Sequence, residues 1–188
     1  MKNIVEKAKQ FAYSAHKGQK RKGKDIPFTN HLDLAVKIGN KLTDDENIIS
    51  AIWLHDTVED TMVTLEDIKA NFNNEIYEYV KAETEIKEED EIGSWEKRKI
   101  NQINILKEEA RQNPKVLYIA FSDKLANLLE MKDDYFELGE QLFNRFNNHN
   151  KLDHYWYYNE FYKMFKESNL FTELQLNEYK KIIKKIFL

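Results

Sequence analysis

Residues 52–61 read IWLHDTVEDT. An apolar run, Ile52, Trp53 and Leu54, passes directly into His55, Asp56, Glu59 and Asp60. Upstream, Ile48, Ile49, Ile52 and Trp53 recur at helical spacing behind Asp44 and Asp45, either of which can cap the helix start. The stretch therefore predicts a core helix that ends in a charged cluster. Ionised groups resist burial unless they are paired or bound to a metal. On a helix Glu59 lies one turn beyond His55, and Asp60 one turn beyond Asp56, so the four groups share a wall. Adjacent residues point about 100° apart, so His55 and Asp56 reach one ion only where a helix end approaches it closely. A cation would supply the charge that burial takes away from water.

Outward from this stretch, nearly everything reads as helix. Ile4, Val5, Ala8, Phe11, Ala12 and Ala15 predict a first helix ending near Gly18. Leu34, Ala35, Ile38 and Leu42 predict a second, from Asn30 to Leu42. Thr64 with Asp67 forms a capping-box pattern ahead of Leu65, Ile68 and Phe72. Ile76, Tyr79 and Val80 suggest a further helix, and Ser94 is placed to cap the one through Trp95, Ile100, Ile103 and Leu106. Asn113-Pro114 is a start signal for a helix to about Met131. The aromatic stretch from Phe143 to Phe165 reads as one or two helices. Thr172 with Gln175 caps the last, which ends KKIIKKIFL. That end is basic and amphipathic, a pattern shared by membrane-surface helices, but packing against other helices is the expectation. With no repeat and no linker composition, the reading is all-α, one domain over 1–188, with motifs within 11–130 and helices of 140–188 completing it.

Composition agrees. Of 188 residues 41% are hydrophobic and 13% aromatic, which supports a folded core, and only five Gly and two Pro interrupt the chain. No Cys is present, so disulfides and thiolate metal sites are excluded. There is no apolar run of membrane-spanning length and no signal-peptide pattern, so no membrane association and a cytoplasmic location are expected. A net charge of −4 argues against a general DNA or RNA binder. The charge is uneven. HKGQKRKGKD (16–25) clusters Lys17, Lys20, Arg21, Lys22 and Lys24, whereas ETEIKEEDE (83–91) is acidic and reads as solvated surface. The basic stretch, with two Gly, reads as a flexible loop suited to a phosphorylated small molecule or simply to solvent.

Two further residues fit the charged cluster. His31 directly follows the basic loop. Asp123 interrupts the apolar helix IAFSDKLANL, with Asn127 one turn on. His31, His55, Asp56 and Asp123 offer two imidazoles and two carboxylates, a set suited to Mn²⁺ or Fe²⁺ with open positions for water.

The segments AHKGQKRKGKDIPFTNH (15–31), AIWLHDTVEDT (51–61) and SDKLANL (122–128) together resemble the HD superfamily of metal-dependent phosphohydrolases. They are most similar to the Rel/Spo-type hydrolase domain and the stand-alone small alarmone hydrolases. The resemblance implies an HD-type helical bundle in which His31, His55, Asp56 and Asp123 hold one Mn²⁺. It further implies that Glu59 and Asp60 serve the hydrolytic water and that Arg21 and Lys22 contact substrate. Asn127 matches the pocket Asn. The implied activity is removal of the 3′-pyrophosphate from guanosine tetra- or pentaphosphate, a phosphorylated-nucleotide substrate. The chain departs from the family at Leu32, where Pro is usual, at Ala126, where His is frequent, and at Lys124, where Arg is common. Lys124 is thus a candidate substrate contact of altered character. These departures keep two alternatives open: a phosphatase for another nucleotide, such as NADPH or a nucleoside monophosphate, and a non-catalytic nucleotide-binding module.

Overall fold

Every side chain from Ile48 to Leu54 is buried, so this segment forms a helix with no solvent face and has to lie among others. The computed structural model describes residues 3–84 and 95–188. Among these the secondary structure is helical, with one isolated antiparallel bridge between Lys20 and Pro27. The helices are α1 (Ile4–Ala15), α2 (Thr29–Gly39), α3 (Glu46–Leu54), α4 (Thr57–Asp60), α5 (Leu65–Asn71), α6 (Asn74–Glu83), α7 (Trp95–Gln112), α8 (Val116–Leu138), α9 (Lys151–Ser168) and α10 (Glu173–Phe187), with a 3₁₀ segment at Gly139–Arg145. The chain divides into two compact units: Met1–Lys87 with Lys115–Asp123, and Glu88–Pro114 with Lys124–Leu188.

In the first unit α3 is the hub, packed on by α1, α2 and α6, while α5 packs on α6. Asp45 caps α3 by accepting from the Asn47 amide at 3.1 Å, and it also pairs with Lys115 at 3.1 Å. That second bond ties the residue preceding α8 to the start of α3. The α2–α3 approach depends on Gly39, where an added Cβ would stand 2.3 Å from Ile52 Cδ1. Helix α2 ends at Gly39 with Asn40 as its C-cap, earlier than the apolar stripe to Leu42 predicts. The Thr64/Asp67 capping box is present. The acidic stretch lies largely outside the described residues, but Glu83 closes α6 and is buried, not solvated.

In the second unit α9 packs with α7 and α10. The Thr172/Gln175 capping box opens α10, whose Leu176, Tyr179, Ile182, Ile183, Ile186 and Phe187 are buried. Phe165 meets Tyr179 edge to face at 5.4 Å, and Tyr158 stacks with Phe187 at 5.8 Å. The basic amphipathic end is thus a packing helix. No helix among the described residues is long and apolar enough to cross a membrane. Two predicted boundaries shift. Pro114 and Lys115 form a turn, so α8 starts at Val116, and it continues to Leu138, well past Met131. Ser94 lies outside the described residues, so its capping role is not part of the structure described.

Candidate metal centre

The motif that reads as one helix is two. Helix α3 ends at Leu54, and Asp56 adopts φ −94°, ψ −5°, the bridge region between helix and extended backbone. The side chains at the break satisfy carbonyls that the helix end leaves open. His55 Nδ1–H donates to Ile52 O at 2.7 Å, and the Thr57 hydroxyl donates to Leu54 O at 2.6 Å. This interruption allows neighbours in sequence, His55 and Asp56, to aim at one point.

His31, from the first turn of α2, and Asp123, from α8, converge there. The His31 Nε2–Asp123 Oδ1 distance is 3.1 Å, that of His55 Nε2–Asp56 Oδ2 is 3.1 Å, and the two Nε2 atoms are 3.3 Å apart. The remaining imidazole–carboxylate distances are 3.5 Å (His55–Asp123) and 3.6 Å (His31–Asp56). One donor atom each from His31, His55 and Asp123 lies within 4.8 Å of the others, and all three residues are buried. The Asp56 side chain keeps 20% of its surface open to solvent.

Two imidazole nitrogens at this separation repel unless a proton or an ion lies between them. Donors bonded at about 2.0–2.2 Å to one ion sit about 2.8–3.6 Å from their neighbours, so the observed spacings fit a divalent ion. The bond from Nδ1 of His55 to Ile52 O commits a proton to that nitrogen and leaves Nε2, once deprotonated, as the donor that faces the cluster, the arrangement a ligating histidine needs. In the metal-free protein, burial alone would lower the His55 pKa. The Asp56 charge, and hydrogen bonds donated to Asp123 and Asp56, overcome this and hold it well above 6.5. Burial likewise pushes Asp56 up, but the His55 charge and hydrogen bond pull it down to about 2.

The other sequence candidates are placed as follows. Glu59 and Asp60 are on α4, half-buried and exposed respectively. Arg21 and Lys22 lie on the basic stretch, which is a backbone-paired hairpin rather than the flexible loop its composition suggests. Arg21 N–H donates to Ile26 O at 3.0 Å and Phe28 N–H to Gln19 O at 2.9 Å. The Arg21 guanidinium lies 5.3 Å from the Phe28 ring centre, and Lys22 is exposed. Lys124 and Asn127 belong to the second unit, where Lys124 is 7% exposed with its ammonium 5.1 Å from the Phe161 ring and 5.9 Å from Tyr157. Asn127 is half-buried. Sequence reading singles out neither His16 nor Phe28. Phe28 is buried against the His31 ring and His16 is buried on Phe28, a relation that only the packing reveals.

Known proteins share this arrangement of helices. The chain is 32% identical over 124 residues to the guanosine-3′,5′-bis(diphosphate) 3′-pyrophosphohydrolase of Aquifex aeolicus, covering 66% of this chain and 17% of that protein. It is 29% identical over 133 residues to the enzyme of the same name from Xenopus tropicalis, covering 69% of this chain and 70% of that one. A solved structure of a metazoan ortholog of SpoT that hydrolyses ppGpp superimposes with a TM-score of 0.72 at 23% identity, covering 96% of each chain, and is evidence of a shared fold. The chain spans only 15% and 17% of the length of the first curated relatives it matches. The sequence profile of the HD domain matches residues 8–148, well over half of the chain, and on that ground the protein belongs to the HD domain family.

Proposed function

We propose that the chain is a metal-dependent phosphohydrolase that cleaves the 3′-pyrophosphate from guanosine tetra- or pentaphosphate. The observation that carries this reading is the buried cluster of two imidazoles and two carboxylates, with neighbouring distances of 3.1–3.6 Å and one imidazole held in its ligating tautomer. The names of the Aquifex aeolicus and Xenopus tropicalis relatives support the substrate.

In this reading His31, His55, Asp56 and Asp123 hold one divalent ion, best matched by Mn²⁺ given the mixed nitrogen and oxygen donors. When bound, such an ion polarises a phosphoryl oxygen and lowers the pKa of water. Glu59 and Asp60, immediately after the break, orient the attacking water and accept its proton. Arg21 and Lys22 offset phosphate charge as the P–O bond breaks, Arg21 through a planar fork steadied on Phe28. Lys124 and Asn127 contribute to nucleotide recognition. Water adds to the phosphoryl group bonded to the ribose 3′ oxygen, the P–O3′ bond breaks, the 3′ oxygen takes up a proton, and guanosine di- or triphosphate leaves together with pyrophosphate.

One observation favours a second reading, a phosphatase for another nucleotide. Lys124, where the chain departs from the family, has its ammonium over the aromatic faces of Phe161 and Tyr157 and is buried. The test is a nucleotide panel with Mn²⁺ and product identification. Pyrophosphate from ppGpp supports the first reading. Orthophosphate from another nucleotide, with ppGpp untouched, replaces it with the second. A protein that binds nucleotide without metal-dependent turnover is neither.

A further inference from the structure

His16 follows the last turn of α1 and is 2% exposed. Its Nδ1 lies 2.7 Å from Gln19 Oε1, an oxygen that can only accept, so Nδ1 carries the proton. Nε2 is buried with no hydrogen-bond partner. Hydrogen bonding therefore accounts for one edge of this ring only, and burying the other is unfavourable. The contact made by its face is more informative. The His16 ring lies nearly parallel to Phe28, with centres 4.5 Å apart and planes 12° from parallel. Phe28 in turn meets the His31 ring edge to face at 5.8 Å and carries the Arg21 guanidinium 5.3 Å from its centre.

Phe28 thus touches both a candidate metal ligand and a candidate phosphate-binding cation. The backbone strengthens the link. Gln19 N–H donates to His16 O at 3.0 Å, and Phe28 N–H donates to Gln19 O at 2.9 Å, closing the base of the basic hairpin on His16. Gly18, at φ 82°, makes that tight reversal in a left-handed conformation.

We propose that His16 is a positioning residue. Its ring sets the plane of Phe28, and through Phe28 it seats both His31 in the metal centre and Arg21 in the hairpin. It touches neither substrate nor ion. The kinetic half of this proposal rests on the function proposed above, whereas the metal half does not.

The test uses the full chain with His16→Ala, His16→Phe and Phe28→Leu, each checked for folding by thermal unfolding. The first readout is the affinity for Mn²⁺ alone, titrated into chelator-treated protein. The second is KM and kcat on ppGpp. His16→Ala is expected to weaken Mn²⁺ by about tenfold, the lower end for groups that orient a ligand, and to raise KM more than it lowers kcat. His16→Phe keeps a flat ring and should rescue most of both losses. Phe28→Leu should repeat the alanine effect, and combining the two should add little, because residues acting through one contact are not additive. A folded His16→Ala protein with wild-type Mn²⁺ affinity and KM overturns the proposal, as does His16→Phe failing as badly as alanine. Should the alanine variant not fold, His16→Gln takes its place, since it fills space and keeps a polar end but has no ring. Weakened Mn²⁺ binding then supports the proposal and unchanged binding overturns it. The Mn²⁺ titration involves no nucleotide, so a wild-type protein inactive on ppGpp would sink the substrate assignment alone.

Discussion

Binding of a divalent ion is expected to release about one proton near neutral pH. His55 is held well above 6.5 in the metal-free protein, so at pH 6.5 the cluster carries a proton on His55 Nε2. The Nδ1 proton is committed to Ile52 O at 2.7 Å, so the Nε2 proton is the one an ion has to displace. Asp56, at about 2, is already ionised and releases nothing in this range. Affinity should therefore rise about tenfold per pH unit, about 1.4 kcal/mol, from pH 6.5 until the raised His55 value is reached. The assay is calorimetric titration of Mn²⁺ into chelator-treated protein, in two buffers of contrasting ionisation enthalpy. The difference in apparent heat counts the protons. Identical heats in both buffers, with affinity flat from pH 6.5 to 7.5, would refute the reasoning. Stability of the metal-free fold follows with definite signs. The His55 contribution is fully present below 6.5 and is lost as pH rises through its raised value. The Asp56 contribution, about 2 kcal/mol, is present above 3.8 and is lost as pH falls through about 2. The rise in Tm on adding Mn²⁺ should consequently grow on the alkaline side.

Asp123→Asn should abolish Mn²⁺ binding and the accompanying rise in Tm, read by thermal unfolding with and without the ion. Glu59→Gln and Asp60→Asn should retain the ion yet lose turnover by about 10²–10⁴-fold, as expected for proton-transfer groups; an empty site in either would overturn this division of roles. Arg21→Lys keeps the charge but loses the planar fork over Phe28, so kcat/KM should fall by about 1–3 kcal/mol, measured by steady-state kinetics. Asp45→Ala removes the α3 cap and the Lys115 pair together and should cost about 1–2 kcal/mol in urea unfolding, with m unchanged.

Much of this was legible in the sequence because the signals are local. The helical period found α1, α3 and α6, and side-chain caps marked the starts of α5 and α10. What escaped depends on partners distant in sequence. Helix α3 approaches α2 so closely at Gly39 that only a residue without a Cβ fits there, and no periodicity carries that information. Both His55 and Asp56 are compatible with a continuous helix. The break between them is secured by side-chain bonds to Ile52 O and Leu54 O, which become visible only with coordinates. The donors His31, His55, Asp56 and Asp123 could be nominated from residue type and spacing, but their meeting at 3.1–3.6 Å is tertiary. His16 reads as one more polar residue in a basic run, and its burial against Phe28 is likewise a property of the packed chain.

The first unit is assembled from Met1–Lys87 and Lys115–Asp123, and this bears on how the molecule is made. A ribosome releases His31, His55 and Asp56 well before Asp123. A nascent chain ending anywhere before Lys115 lacks the fourth donor and also Val116, Leu117, Ile119 and Ala120, all buried. Closing so long a loop costs only a little more than closing one half its length, about 0.6 kcal/mol, so the delay is one of timing more than of free energy. In the proposed function, metal capture is therefore a late event, reporting that the returning segment has docked. Truncation at a point that looks harmless on a linear map, between α6 and α8, would leave an early portion unable to finish its own core.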